Sequence, residues 1–73
     1  MYLLGIDCGE PTTNLSVRNE FYSSGTKPLS TRYPIGIFVV CVSGYVYSDY
    51  EIQKVINCTI SGAWIYSFSC IGN

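Results

Sequence analysis

The hydrophobic and polar positions of this chain follow a period of two more clearly than a helical period. The clearest case is the run Ile-Phe-Val-Val-Cys-Val at residues 37–42, where alternate side chains point to opposite sides and both sides are apolar. We expect one face of this strand to pack on the core. The other should meet side chains of a partner strand, a neighbouring module or solvent. No run of a dozen residues has apolar positions at helical spacing, so strands and loops should dominate.

Weaker patterns predict the remaining elements. In residues 53–60 the alternation of a half-buried strand places Ile56, Cys58 and Ile60 on one side. Turn signals at Ser61 and Gly62 end this strand. The other predicted elements are extended segments at 12–17, 45–47 and 63–68, an exposed polar loop at 18–28 and a polar turn at 48–51.

The cysteines are the next feature of the chain. It has 73 residues, and a domain of this size rarely gains enough stability from packing alone. It contains Cys8, Cys41, Cys58 and Cys70 but no histidine, and its cysteines are not spaced in the close pairs of a zinc site. We expect disulfides, formed in an oxidising compartment. Four cysteines allow three pairings, and cysteine counting does not choose among them.

Charge argues against several functions. The formal net charge is −1 and the four basic residues are scattered singly, so a nucleic-acid-binding surface is not expected. With no histidine, no paired carboxylates and no phosphate-binding loop, we expect no enzyme, no cofactor and no metal.

The longest apolar run and the N-terminal residues indicate whether this chain contains a membrane-spanning or signal segment. The run at 35–42 is too short to span a bilayer, so we expect no direct membrane insertion by this segment. Residues 1–6 are apolar but lack the basic region of a signal peptide. We expect the chain to be a piece of a longer secreted or membrane-anchored protein, or a precursor that lacks its leader.

Short motifs surround the cysteines in a fixed order. They are Cys8-Gly-Glu-Pro11, Tyr33-Pro-Ile-Gly36, Cys41-Val-Ser-Gly44-Tyr45 and Cys58-Thr-Ile-Ser-Gly62-Ala-Trp64, with Cys70 after the last. In this order the chain resembles the complement control protein module, also called the sushi domain or short consensus repeat. The resemblance is spread over the whole chain.

The resemblance implies a fold and a pairing. The fold is a small, elongated, all-β module stapled by two bridges, Cys8 with Cys58 and Cys41 with Cys70. The sushi domain would cover residues 8–70, with a linker or N-terminal extension at 1–7 and a C-terminal tail or linker at 71–73. The chain departs from the family at Phe68, where a proline is usual, and at Val39, where a tyrosine is usual. The gap from Gly36 to Cys41 is also shorter than usual.

Several framework residues have a physical role as well. Trp64 is large enough to fill the centre of a thin domain between the bridges. Gly44 and Gly62 fall at turns, where a residue without Cβ takes positive φ at low cost. Tyr45 and Pro11 complete the expected structural core and framework.

Two sequons are candidates for N-linked glycosylation, Asn14-Leu-Ser and Asn57-Cys-Thr. The middle residue of the second is an expected disulfide partner that constrains the local chain. On that ground Asn14 is the better candidate of the two.

The loop at 18–28 is the expected contact site for a protein partner, because exposed loops on a cross-linked scaffold vary without cost to the fold. The residues expected to bind are Arg18, Glu20, Phe21, Tyr22 and Lys27. The seven tyrosines offer a second recognition surface, although packing at the core edge explains several of them equally well.

Together these features predict an extracellular, secreted or membrane-anchored, protein-binding module. It would act in recognition, adhesion or complement-type regulation within a larger chain, with a protein partner or neighbouring modules. The alternative is a structural spacer with no ligand of its own. A secreted toxin-like or inhibitor-like peptide is a third possibility.

Overall fold

The computed structural model describes residues 5–66 and 69–72 of the chain. The predicted segment at 63–68 therefore reaches beyond the described residues, and Tyr2 and Phe68 lie outside them. The elements in chain order are α1 (Thr12–Val17), β1 (Glu20–Tyr22), β2 (Gly36–Cys41), β3 (Tyr45–Tyr47), β4 (Lys54–Cys58), β5 (Trp64–Ile65) and β6 (Cys70–Gly72).

The strands form two antiparallel sheets. The larger has the order β1-β2-β4-β5, and β3 pairs with β6 in the smaller. The module is elongated, with extents of 44 × 21 × 17 Å. The expectation of a small, disulfide-stapled β-module is thus confirmed.

The core lies on one side of the larger sheet, which we call the inner face. Alternate residues of the central strands point there, among them Val39 and Ile56, and helix α1 covers them with Leu15. Trp64 belongs to the same cluster, and its Nε1 donates a hydrogen bond to the carbonyl of Gly9 at 2.8 Å. Pro11 is also fully buried. Trp64 and Pro11 are thus both buried, as expected of core residues.

The disulfides join Cys8 to Cys58 and Cys41 to Cys70, as the resemblance implies. Gly36 pairs with Asn57 across β2 and β4, so Cys58 lies at the start of β2 while Cys41 lies at its end. The bridges therefore close opposite ends of the larger sheet. The second also ties this sheet to the smaller one.

The prediction of a strand at residues 12–17 is wrong, because this segment is helix α1. Pro11 precedes it, and proline suits a helix start because its φ is already helical and its missing N–H needs no partner. The amide of Leu15 donates to the carbonyl of Pro11 at 2.8 Å. A helix this short depends on tertiary burial, which Leu15 supplies.

The prediction of an exposed loop at 18–28 is wrong for its first part. Strand β1 pairs there with β2, Glu20 opposite Cys41 and Tyr22 opposite Val39. Both Glu20 and Tyr22 point to the inner face and are buried. The sequence did not predict this strand because Glu20 is acidic, whereas the alternation of a half-buried strand places an apolar residue at an inward position.

The two turn glycines adopt the predicted conformation, with φ of 90° at Gly44 and 84° at Gly62. Tyr45 was expected in the core, but it is 37% exposed because β3 presents it outward. Ile60 is exposed, since β4 ends at Cys58. Beyond residue 70, where the sequence predicts a tail, the chain continues in β6 as far as Gly72.

Candidate functional site

A groove lies beside strand β3 and the turn that follows it. Its volume is about 220 Å³, and it sits at the Cys41 end of the larger sheet. We call it the tyrosine groove. It is lined by Cys41, Tyr45, Val46, Tyr47, Tyr50, Glu51 and Ile52.

Tyr50 projects from the turn with 79% of its surface exposed. Its φ is 61°, in the left-handed region, which costs a non-glycine residue about 1–2 kcal/mol. Its amide donates to the carbonyl of Tyr47 at 2.9 Å and closes the turn. Strained backbone of this kind concentrates at ligand contacts and other functional positions.

Asp49 fixes the conformation of this turn. Its carboxylate accepts hydrogen bonds from Lys54 Nζ and, at 3.2 Å, from the amide of Glu51. The hydrogen bond from Lys54 is the main reason that the pKa of Asp49 lies below its ordinary value. The carboxylate is therefore ionised at neutral pH, and Tyr50 is presented from a braced turn.

Ile52 and Tyr45 add exposed apolar surface to the same groove. Ile52 is 88% exposed and follows the turn, while Tyr45 comes from β3. Together with Tyr50 they place two phenol rings and an aliphatic side chain on one concave surface. Aromatic side chains with polar tips are enriched at protein interfaces.

Tyr47 forms the floor of the groove and is buried. Its hydroxyl donates to Glu20 Oε2 at 2.6 Å and to the carbonyl of Val39 at 3.3 Å. Glu20 is only 2% exposed, and it also accepts a hydrogen bond from Arg18 Nε at 2.7 Å. The floor is thus anchored to strands β1 and β2 through one buried carboxylate.

Cation–ring contacts extend this network. The guanidinium of Arg18 lies 4.7 Å from the ring centre of Tyr66. Lys54 Nζ lies 5.8 Å from the ring centre of Tyr47. Contacts of this type are worth roughly 0.5–1 kcal/mol at exposed sites.

Burial, followed by the hydrogen bond to Glu20, raises the pKa of Tyr47 well above its ordinary value of 10.0. Below pH 10, the ordinary pKa of tyrosine, Tyr47 is protonated in both the folded and the unfolded chain. In this range its full contribution to the free energy of unfolding is present. At higher pH the unfolded chain releases the proton while the folded chain retains it, and stability falls. We expect a loss of at most about 1.4 kcal/mol per pH unit from this group.

Urea unfolding at a series of alkaline pH values measures this loss. The control is Tyr47→Phe, which lacks the hydroxyl and should show a flatter decline. Equal slopes for the two proteins would contradict a buried, protonated Tyr47.

The predicted binding residues do not form one surface. Glu20 and Tyr22 are buried, so the expectation that they contact a partner is wrong, and Tyr22 instead shares a 2.6 Å hydrogen bond with Thr12 Oγ1. Arg18 is half-buried beside Glu20. Phe21 is exposed on the opposite side of the sheet. Lys27 is exposed and pairs with Glu10 at 3.2 Å.

The tyrosines divide between the two expected roles. Tyr22 is a core residue, and Tyr47 is buried and forms the groove floor. Tyr45 and Tyr50 line the groove with exposed rings. Sequence reasoning missed this site because it treated residues 48–51 as an ordinary polar turn. The signal was a tyrosine between two acidic residues, a large aromatic ring where polar residues usually suffice.

The two sequon asparagines are both exposed. Asn14 lies on helix α1 and Asn57 on strand β4. Over residues 5–66 and 69–72, no helix is long and apolar enough to cross a membrane, and no group of three or more acidic or cysteine side chains could hold a metal ion.

No protein-family model matches this chain, and neither a curated protein sequence nor a solved structure matches it.

Proposed function

We propose that this chain is an extracellular, non-catalytic protein-binding module of the sushi type, part of a larger protein that acts in recognition, adhesion or complement-type regulation. The pairing of the first cysteine with the third and the second with the fourth supports the sushi assignment. Two bridges in so small a domain are compatible with an extracellular location.

The observation that carries the binding function is the exposed Tyr50 beside Ile52. A large aromatic ring held in a costly backbone conformation contributes nothing to the core. Contact with a partner explains an exposed ring at this position, because tyrosine is enriched among residues that dominate binding energy. The tyrosine groove, rather than the loop at 18–28, is therefore the proposed contact surface.

The proposed partner is a protein surface with an apolar projection. The groove of about 220 Å³ is smaller than a typical drug-sized pocket, so it accommodates one or two side chains. Tyr45 and Tyr50 line the groove, and their hydroxyl groups are able to form hydrogen bonds with the partner's backbone.

A structural spacer is the second candidate, and the 44 Å length of the module favours it. A spacer would set the distance between neighbouring domains. It would bind no ligand and would tolerate any change in the groove that preserves the fold.

Replacing Tyr50 by glycine separates the two candidates. Glycine takes the left-handed conformation at low cost, so Tyr50→Gly removes the ring without straining the turn. We expect an unchanged melting temperature within a few degrees and a loss of partner affinity of about 30-fold or more, the effect of a typical hot-spot residue.

The measurement uses the wild-type module as bait against a displayed library of extracellular proteins, followed by affinity determination for each binder. The matched control is Leu29→Ser, which removes an exposed side chain outside the groove. Binders that hold Tyr50→Gly as tightly as wild type would refute the groove as the contact surface. A library with no binder of the wild-type module would favour the spacer.

A further inference from the structure

Among the residues that the structure describes, the strand positions on the outer face of the larger sheet are mainly apolar and carry no charged side chain. Pairing places Phe21 opposite Val40 and Phe38 opposite Val55. Phe21, Phe38 and Val55 are exposed, and so is Ile65, which lies beside Asn57 on β5. The exposed fractions reach 58% at Phe38 and 59% at Ile65. We define the outer face by Phe21, Gly36, Phe38, Val40, Val55, Asn57 and Ile65.

Asn57 is the single polar side chain among these seven strand positions. It is exposed, pairs with Gly36 on one side and with Ile65 on the other, and begins the Asn57-Cys-Thr sequon. An N-linked oligosaccharide attached there would stand in the middle of apolar surface. Side chains alternate along β4, and Ile56 and Cys58 point to the core. Asn57, which lies between them, therefore points to the outer face.

Gly36 leaves space for the Asn57 side chain. A Cβ placed on Gly36 would lie 2.8 Å from Asn57 Oδ1, too close for any real contact. Gly36 does not have a positive φ, so its backbone conformation does not require glycine. Glycine matters here because a Cβ would collide with the Asn57 side chain where it now lies. The amide of Asn57 therefore lies over bare backbone.

A second groove, of about 340 Å³, continues from Gly36. Phe38 forms part of its wall, and Ser23 and Ser24 contribute hydroxyl groups. Ser23 Oγ donates to Gln53 Oε1, and a hydroxyl that donates one hydrogen bond can also accept from a ligand. Ser24 Oγ donates to the carbonyl of Thr26 and accepts at 3.5 Å from the amide of the same residue. An aromatic ring with nearby hydroxyls suits a sugar, whose C–H face is apolar and whose rim is polar.

We propose that Asn57 carries an N-linked oligosaccharide whose first sugars cross Gly36 and pack on Phe38. In the transfer step, Asn57 Nδ2 forms a bond to C1 of an N-acetylglucosamine carried on a polyprenyl diphosphate. The C1–O bond to the diphosphate breaks, polyprenyl diphosphate leaves, and the amide proton passes to a base of the transferring enzyme. The reaction involves no oxidant or reductant.

On this proposal Asn57, rather than Asn14, is the better candidate for N-linked glycosylation. Helix α1 packs on the inner face through Leu15, so a glycan on Asn14 would cover no part of the outer face. The proposal is independent of the tyrosine groove, which lies at the Cys41 end of β2 while Asn57 lies at the Gly36 end.

The test is secretion of the full chain from cultured mammalian cells, followed by peptide mass spectrometry with and without enzymatic removal of N-glycans. We expect the Asn57 peptide to be glycosylated and the modification to be lost in Asn57→Gln. Thr59→Ser preserves the sequon and should keep the modification, and Asn14→Gln should leave it unchanged. An unmodified Asn57 in disulfide-bonded, secreted protein overturns the proposal.

Sedimentation tests the seating of the sugars on the outer face. Because an exposed apolar face favours self-association, Asn57→Gln should form dimers at concentrations where the wild type and Asn14→Gln are monomeric. Adding Phe38→Ser to Asn57→Gln should restore the monomer. A glycosylated wild type with a variant that remains monomeric would overturn the packing on Phe38.

Discussion

Replacing Cys8 and Cys58 together by alanine should lower the free energy of unfolding by about 4 kcal/mol, the chain entropy that a bridge of this span removes from the unfolded state. The bridge connects residues 50 positions apart in a chain of 73. A domain of this size has roughly 4–11 kcal/mol of total stability, so this variant should be largely unfolded or close to its threshold at 37 °C.

Packing adds to the entropic effect of this bridge. Cys58 is buried in the main core cluster, and Cys8 packs against that cluster. Cys8 also holds the segment whose Gly9 carbonyl accepts the hydrogen bond from Trp64. Loss of the bridge therefore frees the N-terminal segment and opens one side of the Trp64 environment.

The matched control is the double replacement of Cys41 and Cys70. Its bridge spans 29 positions, for which the same relation gives about 3.5 kcal/mol. Urea unfolding without reductant, followed by the fluorescence of the single tryptophan, measures both variants. A loss below about 1 kcal/mol for the Cys8/Cys58 variant would contradict the entropic account.

Removal of either bridge should also destabilise a different part of the fold. Cys70 begins β6, whose partner is the three-residue strand β3, and a two-stranded pair of this kind is marginal without support. Removal of the Cys41–Cys70 bridge should raise amide exchange in β3 and β6 before it affects β2 and β4. Removal of the Cys8–Cys58 bridge should affect the larger sheet itself.

Strand β2 shows what the sequence predicts well. The alternation of apolar residues over 37–42 identified the strand to within one residue at each end, because every position contributes to burial or to the outer face. The pairing of the cysteines followed from motif order rather than from physical reasoning. Spacing arguments alone left three pairings open.

Leu15 and Glu20 show why the rest was not predictable. Leu15 is one buried apolar residue in a six-residue helix, too little for a period to emerge, and its helical state depends on the sheet beneath it. Glu20 is a charged residue whose burial depends on partners far along the chain, Tyr47 among them. Such contacts exist only after the strands pair.

The tyrosine groove was unpredictable for a related reason. Its walls combine β3, the turn after it and a cysteine of β2, which meet only through the smaller sheet and the second bridge. The left-handed conformation of Tyr50 is likewise a property of the closed turn. Composition indicated that tyrosines are available for recognition but not which of them are exposed.

Glu20→Ala is expected to cost about 3 kcal/mol, because the truncation removes a buried carboxylate that accepts hydrogen bonds from two other side chains. The Glu20 carboxylate accepts from both Tyr47 and Arg18 and is almost fully buried. After truncation, Tyr47 keeps only its longer contact with the carbonyl of Val39. The side chain of Arg18 is 23% exposed, so partial rehydration places the expected loss at the lower end of the usual range.

A double-mutant cycle with Tyr47→Phe isolates the hydrogen bond from the general effect of truncation. Tyr47→Phe alone should cost about 1–2 kcal/mol, whereas in the Glu20→Ala background it should cost less, because only the longer hydrogen bond to the carbonyl of Val39 remains to be lost. The free energies come from urea unfolding at neutral pH. Additive losses would show that the hydroxyl and the carboxylate act separately. An unchanged stability of Glu20→Ala would mean that the desolvation cost of the carboxylate offsets the free energy gained from its partners.

A substantial coupling free energy between the two substitutions would instead show that Glu20 anchors the groove floor. In that case Glu20→Ala should also weaken any binding lost in Tyr50→Gly, although Glu20 itself does not contact the partner.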